Sequence, residues 1–331
     1  MFAHQVLAFS GPAGVVWHEV PEPDPGNGVV IDVAAAGVSF ADLLQTRGQY
    51  QLKLPLPFTP GMDAAGVVRS APRDAGIEPG QRVAVLMSHG CWQEVLTADP
   101  GQVLPLPDGM SFEAAAAAPL NYLTALLALV RRGRAVPGEI LVVHGGAGGL
   151  GVAALQVGRA LGLRTIAVTS DDGKRDFAMR CGAHHAVRSD GWLDAVRAVI
   201  GDRAVDIVVD PVGGDLMTDS LRALAPEGRL LVLGFTAGQI PTVKVNRLLL
   251  GNTGVLGVGS RELFERQPAI VRDLWTRLRE LWATRALPDP PVEVYPFTDA
   301  RSALQAVADR QIKGKAVLSR TTAGSGLRTP W

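Results

Sequence analysis

The feature that most constrains this chain is a glycine-rich turn set between an apolar run and a helix-forming one. Residues 140–143 (ILVV) read as a short buried strand and residues 149–161 as a helix. Between them lies His144-Gly-Gly-Ala-Gly-Gly-Leu-Gly151, which contains Gly146-x-Gly148-x-x-Gly151. In a strand–turn–helix setting each glycine has a physical task. The first permits a tight turn, the second lets backbone approach a pyrophosphate, and the third lets helix pack closely on strand. The helix start adds unpaired N–H groups and a partial positive charge. Gly146, Ala147, Gly148, Gly149, Leu150 and Gly151 are therefore predicted to cradle the diphosphate of a dinucleotide.

The surroundings agree with that reading. From residue 139 onward, short Val/Ile/Leu runs alternate with helical segments: strands at 165–169, 186–187, 205–210, 229–234 and 255–258, and helices at 173–180, 192–200 and 216–224. Continuous apolar strands alternating with helices predict a doubly wound parallel sheet covered on both faces, a Rossmann α/β fold. The first ~120 residues differ, with β-branched runs at 28–37, 66–68 and 82–86 set between Pro/Gly turns and no long helical pattern, so they predict a compact antiparallel or barrel-like unit. Ser111 precedes a run of alanines and is expected to cap a helix. The tail predicts a strand at 292–295, a helix at 298–309 and a closing strand at 315–318.

The cofactor type is read at the end of the second parallel strand. An NAD site usually carries Asp or Glu there, about 20 residues past the glycines. Here the strand ends Val168-Thr169-Ser170, with Asp171 and Asp172 just beyond. Ser170, Lys174, Arg175 and Arg188 suit a 2′-phosphate instead, the cationic ones through charge-assisted bonds. NADPH is expected ahead of NADH. By their position after sheet strands, Val212, Gly234, Phe235, Thr236, Val258, Gly259 and Ser260 are expected to line the nicotinamide half of the site, with a place in the core an equal reading for Phe235.

Composition narrows the class further. The 32 Lys and Arg balance 32 Asp and Glu, so bulk charge gives no reason to expect nucleic acid or a membrane surface as partner. Two cysteines provide no disulfide framework and suit a reducing compartment. The N-terminus does not read as a signal peptide, and the most membrane-like stretch, 114–130, reads as a buried helix short of the ~20 residues a span requires. A cytoplasmic protein is expected.

Several segments together resemble the zinc-independent quinone oxidoreductases of the medium-chain dehydrogenase/reductase superfamily. They are 37–50 (GVSFADLLQTRGQY), 57–68 (PFTPGMDAAGVV), 104–113 (LPLPDGMSFE), 122–125 (YLTA), the glycine loop, 210–214 (DPVGG) and 246–250 (NRLLL). The resemblance runs nearly end to end. It implies a Rossmann domain, 121–262, inserted in a GroES-like β-barrel-type domain made of 1–120 and 263–331, with the cofactor in the cleft between them. It also implies a homodimer joined through the Rossmann domains.

Zinc-dependent relatives use Cys and His ligands, and a catalytic zinc needs about three from the protein. Ser39 and Phe40 fall where the first ligand cysteine would lie, and Gly61-Met62-Asp63 stands in place of Gly-His-Glu. No zinc is expected; a lone His89-Gly-Cys91 pair is more often incidental. Without a Lewis acid, acceptors that delocalise their own charge, quinones or enones, are the expected substrates. The resemblance places Ser39 where many relatives carry an Asn near the nicotinamide ribose, although a strand-end cap is an equal reading. It places Thr124 against the nicotinamide. Tyr50 matches a tyrosine that assists proton delivery in enoyl-thioester reductases, the alternative being a cleft-lining aromatic. Leu44 departs from the tyrosine often found there. Asp42, Arg47 and Lys315 match family positions for which structural roles serve as well, and His144 is expected to bond structurally. The expected function is hydride transfer from NADPH to a quinone or similar acceptor. The rivals are an enoyl-thioester reductase and a non-catalytic NADPH-binding protein.

Overall fold

In the computed structural model, which describes residues 1–320, strands form in the first 120 residues where β-branched side chains cluster between turn residues. β1 (Phe2–Val6) and β2 (Val15–Glu19) make a separate antiparallel pair. β3 (Val29–Val38) follows, then α1 (Phe40–Thr46), β4 (Asp63–Ser70), β5 (Arg82–Leu86), β6 (Val95–Ala98) and β7 (Val103–Pro105). Antiparallel pairing of β3 with β4 and β6, of β4 with β5 and of β5 with β7 buries Ile31, Val33, Val83, Val85, Trp92 and Leu96.

α2 (Phe112–Leu126) begins as the sequence predicts, with Ser111 Oγ accepting the Ala114 N–H at 3.2 Å. It runs on through a π-helical turn, Leu127–Arg132, so the helix reaches 21 residues and not the shorter length expected. By length and composition it matches a membrane span, yet most of it is buried in this protein's own core. Alanine at 114–118 lets neighbouring backbone approach it closely.

Beyond it the strand–helix alternation appears as predicted: β8 (Ile140–His144), α3 (Gly149–Ala160), β9 (Arg164–Thr169), α4 (Asp172–Arg180), β10 (His185–Arg188), α5 (Trp192–Ile200), β11 (Val205–Asp210), α6 (Leu216–Ala223), β12 (Leu224–Val232), α7 (Val245–Gly251), β13 (Gly254–Gly257), α8 (Ser260–Arg266) and α9 (Ala269–Ala283). The six strands pair in parallel in the order β10-β9-β8-β11-β12-β13. β8 is buried along its whole length, as a strand covered on both faces must be. The order reverses between β8 and β11, and in such sheets ligands bind beyond the strand ends at that point.

The chain then returns with β14 (Val292–Pro296), α10 (Ala300–Ala308) and β15 (Lys315–Ser319). β15 pairs in parallel with β14 and antiparallel with β3, giving the first sheet the order β14-β15-β3-β4-β5-β7. Two units result, one of Met1–Leu120 with the chain from Pro290 onward, the other of Asn121–Asp289. The boundary drawn from sequence at residue 262 is thus corrected. α9 belongs to the second unit: its apolar stripe (Ile270, Leu274, Trp275, Leu278, Trp282) is buried, and the Trp282 ring lies 5.6 Å from that of Tyr122.

Candidate functional site

β8 ends at His144, and the turn that follows differs in one respect from the expected glycine roles. The left-handed residue is Gly145 (φ +60°), whereas Gly146 serves close packing, since a Cβ on it would lie 2.7 Å from Ala167 Cβ on β9. Gly151 fulfils its expected role: a Cβ there would meet Gly145 O at 2.2 Å, so only glycine lets α3 rise so close to the turn. Gly148 is the N-cap of α3, supplies no side-chain cap, and faces open space, its Cβ position lying 3.6 Å from the nearest atom, Gly145 O. α3 has no acidic residue in its first turn. Its leading N–H groups have no partner within the helix and suit an anion. The residues fit the diphosphate of a dinucleotide.

At the ends of β9 and β10, three of the candidates for a 2′-phosphate come together. Lys174 Nζ donates to Ser170 Oγ at 3.2 Å, and Arg188 pairs in register with Thr169. The nearby acids are engaged. Asp171 caps α4 by accepting the Lys174 N–H at 2.8 Å, and this bond with that from Ser170 Oγ holds its carboxyl below the usual carboxylate range. Asp172 lies 3.0 Å from Arg175 and 3.6 Å from Arg188. The acid just past the strand, Asp171, is therefore engaged as a helix cap.

Beyond β11, Asp210 Oδ1 accepts the N–H groups of both Val212 and Gly213, at 2.8 and 2.9 Å. This Asx-type turn fixes residues 211–214, and a short ladder joins them to the loop after β12: Thr236 N–H to Pro211 O at 3.1 Å and Ala237 N–H to Val212 O at 2.9 Å. Val212, Gly234, Phe235 and Thr236 are thus assembled on one pair of loops. Val258 N–H bonds Val232 O, and the Thr124 and Ser260 hydroxyls meet at 3.0 Å, bringing α2 and the start of α8 together. His144 is structural, as expected. Ser220 Oγ donates to Leu216 O, leaving the ring Nε2–H to donate to Ser220 Oγ at 2.9 Å, and burial pulls its pKa down to about 4 against the opposing charge of Asp210.

In the first unit Ser39 is the N-cap of α1. Its Oγ donates to Asp42 Oδ2 at 2.5 Å, its N–H donates to the same oxygen at 2.7 Å, and the Asp42 N–H returns to Ser39 Oγ at 3.3 Å. Asp42 is wholly buried, and burial outweighs the attraction of Lys315 to raise its pKa to about 6. Asp63, also wholly buried and likewise shifted upward by burial, pairs through Oδ2 with Lys315 Nζ at 3.1 Å. Sequence reasoning took these three residues singly; the structure gathers them. Lys315 and Asp63 are 252 residues apart, and no local pattern announces the pair. Tyr50 follows α1 and is half-buried, with its N–H on Leu44 O at 3.2 Å. Arg47 lines a shallow hollow with Phe9, Leu54 and Phe58.

The residues standing in the zinc-ligand positions do not fit a metal. Ser39 is engaged with Asp42, Met62 is a buried thioether, and one oxygen of Asp63 is bound to an ammonium. Among the described residues no three His, Cys, Asp or Glu side chains gather as a metal-holding group.

A parallel Rossmann sheet carrying a glycine cradle, together with a GroES-like unit closed by the returning chain, defines a medium-chain dehydrogenase/reductase. Residues 25–108 match the alcohol dehydrogenase GroES-like domain and residues 149–276 the zinc-binding dehydrogenase domain. Quinone oxidoreductase-like protein 2 of Bos taurus is 35% identical over 310 residues, covering 92% of this chain and 88% of its own. A probable oxidoreductase from Mycobacterium abscessus superposes with TM-score 0.89 at 41% identity, covering 96% of this chain and 98% of its own. The quinone oxidoreductase of Thermus thermophilus, solved alone and with NADPH, superposes with TM-score 0.83 at 36% identity, covering 96% and 100%. The chain belongs to the zinc-independent quinone oxidoreductase family of that superfamily.

Proposed function

We propose that this protein is an NADPH-dependent oxidoreductase that reduces a quinone or a similarly activated carbonyl acceptor without zinc. The observation that carries the reading is the open cradle over Gly148 at the start of α3, with Ser170, Lys174 and Arg188 gathered at the neighbouring strand ends. NADPH, when bound, supplies the hydride. The backbone of residues 146–151 would hold its diphosphate and the Ser170 group its 2′-phosphate, while Thr124, Val212, residues 234–236 and residues 258–260 line the nicotinamide half. Solved relatives with NADPH support this choice over NADH.

The acceptor class follows from what the first unit offers. Asp63 and Lys315 neutralise each other where a metal-ligating arrangement would stand, so no Lewis acid is built to stabilise an alkoxide. An acceptor that spreads the incoming charge over its own conjugated system needs none. Ser39 is assigned to the reacting end of the site and Tyr50 to its lining, where its phenol is a candidate proton donor.

The test is NADPH oxidation across a panel of quinones, with 2-enoyl thioesters as the contrast. Turnover of quinones is expected. Turnover of enoyl thioesters alone, with a marked rate loss in Tyr50→Phe, moves the protein to enoyl reduction. Tight NADPH binding with no oxidation by any acceptor makes it a binding protein.

The second unit is further proposed to join a second copy of itself. β13 is the outer strand of the parallel sheet, and in the segment of chain between β12 and β13 Ile240, Val245, Leu249 and Leu250 are 71–78% exposed. An open strand edge flanked by apolar side chains suits isologous two-fold pairing.

A further inference from the structure

The hollow that Arg47 lines has a volume of about 280 Å³, room for a single-ring molecule, and three contacts build its walls. The Val6 N–H bonds Phe58 O at 2.8 Å, tying the chain that follows α1 to the end of β1. Phe9, in the turn between β1 and β2, meets Phe58 with ring centroids 6.4 Å apart and planes tilted by 39°. Gly48 ends α1 at φ +64°, and a Cβ there would lie 3.1 Å from the Phe9 ring. A side chain at position 48 would push that ring away, so glycine keeps the wall in place.

The chemistry of the hollow is graded from inside to outside. Gln45 and Phe58 are buried, at 2% and 7% exposure, Phe9 is half exposed, and Arg47 and Lys53 stand at the surface. Gln45 Nε2 donates to Ser88 O at 2.8 Å, but its Oε1 is buried with no hydrogen-bond partner. A buried acceptor left unmatched is costly, and a donor on a bound molecule would satisfy it. At the rim, Lys53 Nζ donates to Gly48 O at 2.6 Å, a bond that leaves its charge in place. Among the described residues no carboxylate pairs with Arg47 or Lys53, and none of the residues lining the hollow is acidic.

We propose that this hollow is a binding site for a small aromatic carboxylate that carries a hydroxyl or N–H donor. Its ring packs against Phe9, Phe58 and Leu54, because an aromatic pair set at an angle receives a third ring better than it receives a flexible chain. The donor reaches inward to Gln45 Oε1. The carboxylate stays at the rim, where Arg47 offers a fork of N–H groups and Lys53 a second positive charge. All the lining residues lie within Met1–Leu120, so the site needs neither the cofactor nor the second unit.

The experiment is calorimetric titration of the cofactor-free protein with 4-hydroxybenzoate, beside benzoate and methyl 4-hydroxybenzoate. The hydroxy acid is expected to bind with a submillimolar dissociation constant. The ester, which has lost the charge, and benzoate, which has lost the donor, should each bind about three- to tenfold more weakly. Arg47→Gln should weaken the hydroxy acid by a similar factor and leave the ester unchanged, whereas Phe9→Ala should weaken all three. Both side chains are exposed, so circular dichroism should report an intact fold. In protein with ¹³C-labelled leucine methyl groups, the signals of Leu52 and Leu54 in the wall should shift as the hydroxy acid is added. No saturable binding at millimolar concentration overturns the site. So does equal affinity for the hydroxy acid and its ester, or for the hydroxy acid and benzoate. Saturable binding that is unchanged in both variants, with the Leu52 and Leu54 signals unmoved, places the probe elsewhere and overturns it too.

Discussion

The same added methyl group has opposite consequences at Gly148 and Gly151. At Gly151 it would strike the Gly145 carbonyl at 2.2 Å, whereas at Gly148 it would meet no protein atom closer than 3.6 Å. Gly151→Ala is therefore expected to lower the melting temperature and weaken NADPH binding together. Gly148→Ala should leave the melting temperature intact and weaken NADPH by at least about tenfold, or ~1.4 kcal/mol, because its methyl group would enter the space proposed for the diphosphate. Calorimetric titration alongside thermal denaturation separates the two. Lys315 carries a different residue-scale prediction. Lys315→Met strands the wholly buried Asp63 and should destabilise the fold by about 3–5 kcal/mol in urea denaturation, with most of the loss recovered by adding Asp63→Asn.

The corner formed by β9, α4 and β10 is where the proposed 2′-phosphate site lies. A charge-assisted hydrogen bond is worth about 1.5–3 kcal/mol, so Lys174→Ala and Arg188→Ala should each raise the NADPH dissociation constant about ten- to hundredfold while leaving NADH nearly unchanged. Equal losses for both cofactors would place the 2′-phosphate elsewhere. This corner was legible in the sequence because strand, cap and basic residues follow one another within 20 positions. The parallel sheet was legible for the same reason: each β-α-β step is local, and its strands are continuous apolar runs. α1 and the β1–β2 pair were not, being too short to show a period. α9 carried a readable signal, apolar residues from Ile270 to Trp282 at helical spacing, but its attachment to the second unit depends on Tyr122, 160 positions away in the chain. Gly145 escaped notice because the Gly-x-Gly-x-x-Gly spacing begins at Gly146, one residue too late for the turn.

At the scale of the whole molecule, the apolar residues between β12 and β13 are the most exposed large hydrophobic side chains among the described residues. Leu249 and Leu250 are 76% and 78% exposed, and Leu250→Glu should shift the protein from dimer to monomer in sedimentation equilibrium with the Rossmann fold intact by circular dichroism. A wild-type monomer at all accessible concentrations would refute the proposed pairing. The discontinuous build of the first unit was within reach of the sequence only through resemblance, since nothing local tells β15 that its partner is β3.

That pairing also sets an order on biosynthesis. β15 is bonded between β14 and β3, so the first sheet must wait for residues 315–319 to leave the ribosome, whereas residues 121–289 can fold once they have emerged. At about 5–20 residues per second, β3 waits for β15 for roughly fifteen to sixty seconds. β3 and its neighbours are thus made before residues 121–289 yet mature after them, and it is there, in the nascent chain, that a chaperone would find a long-lived client surface.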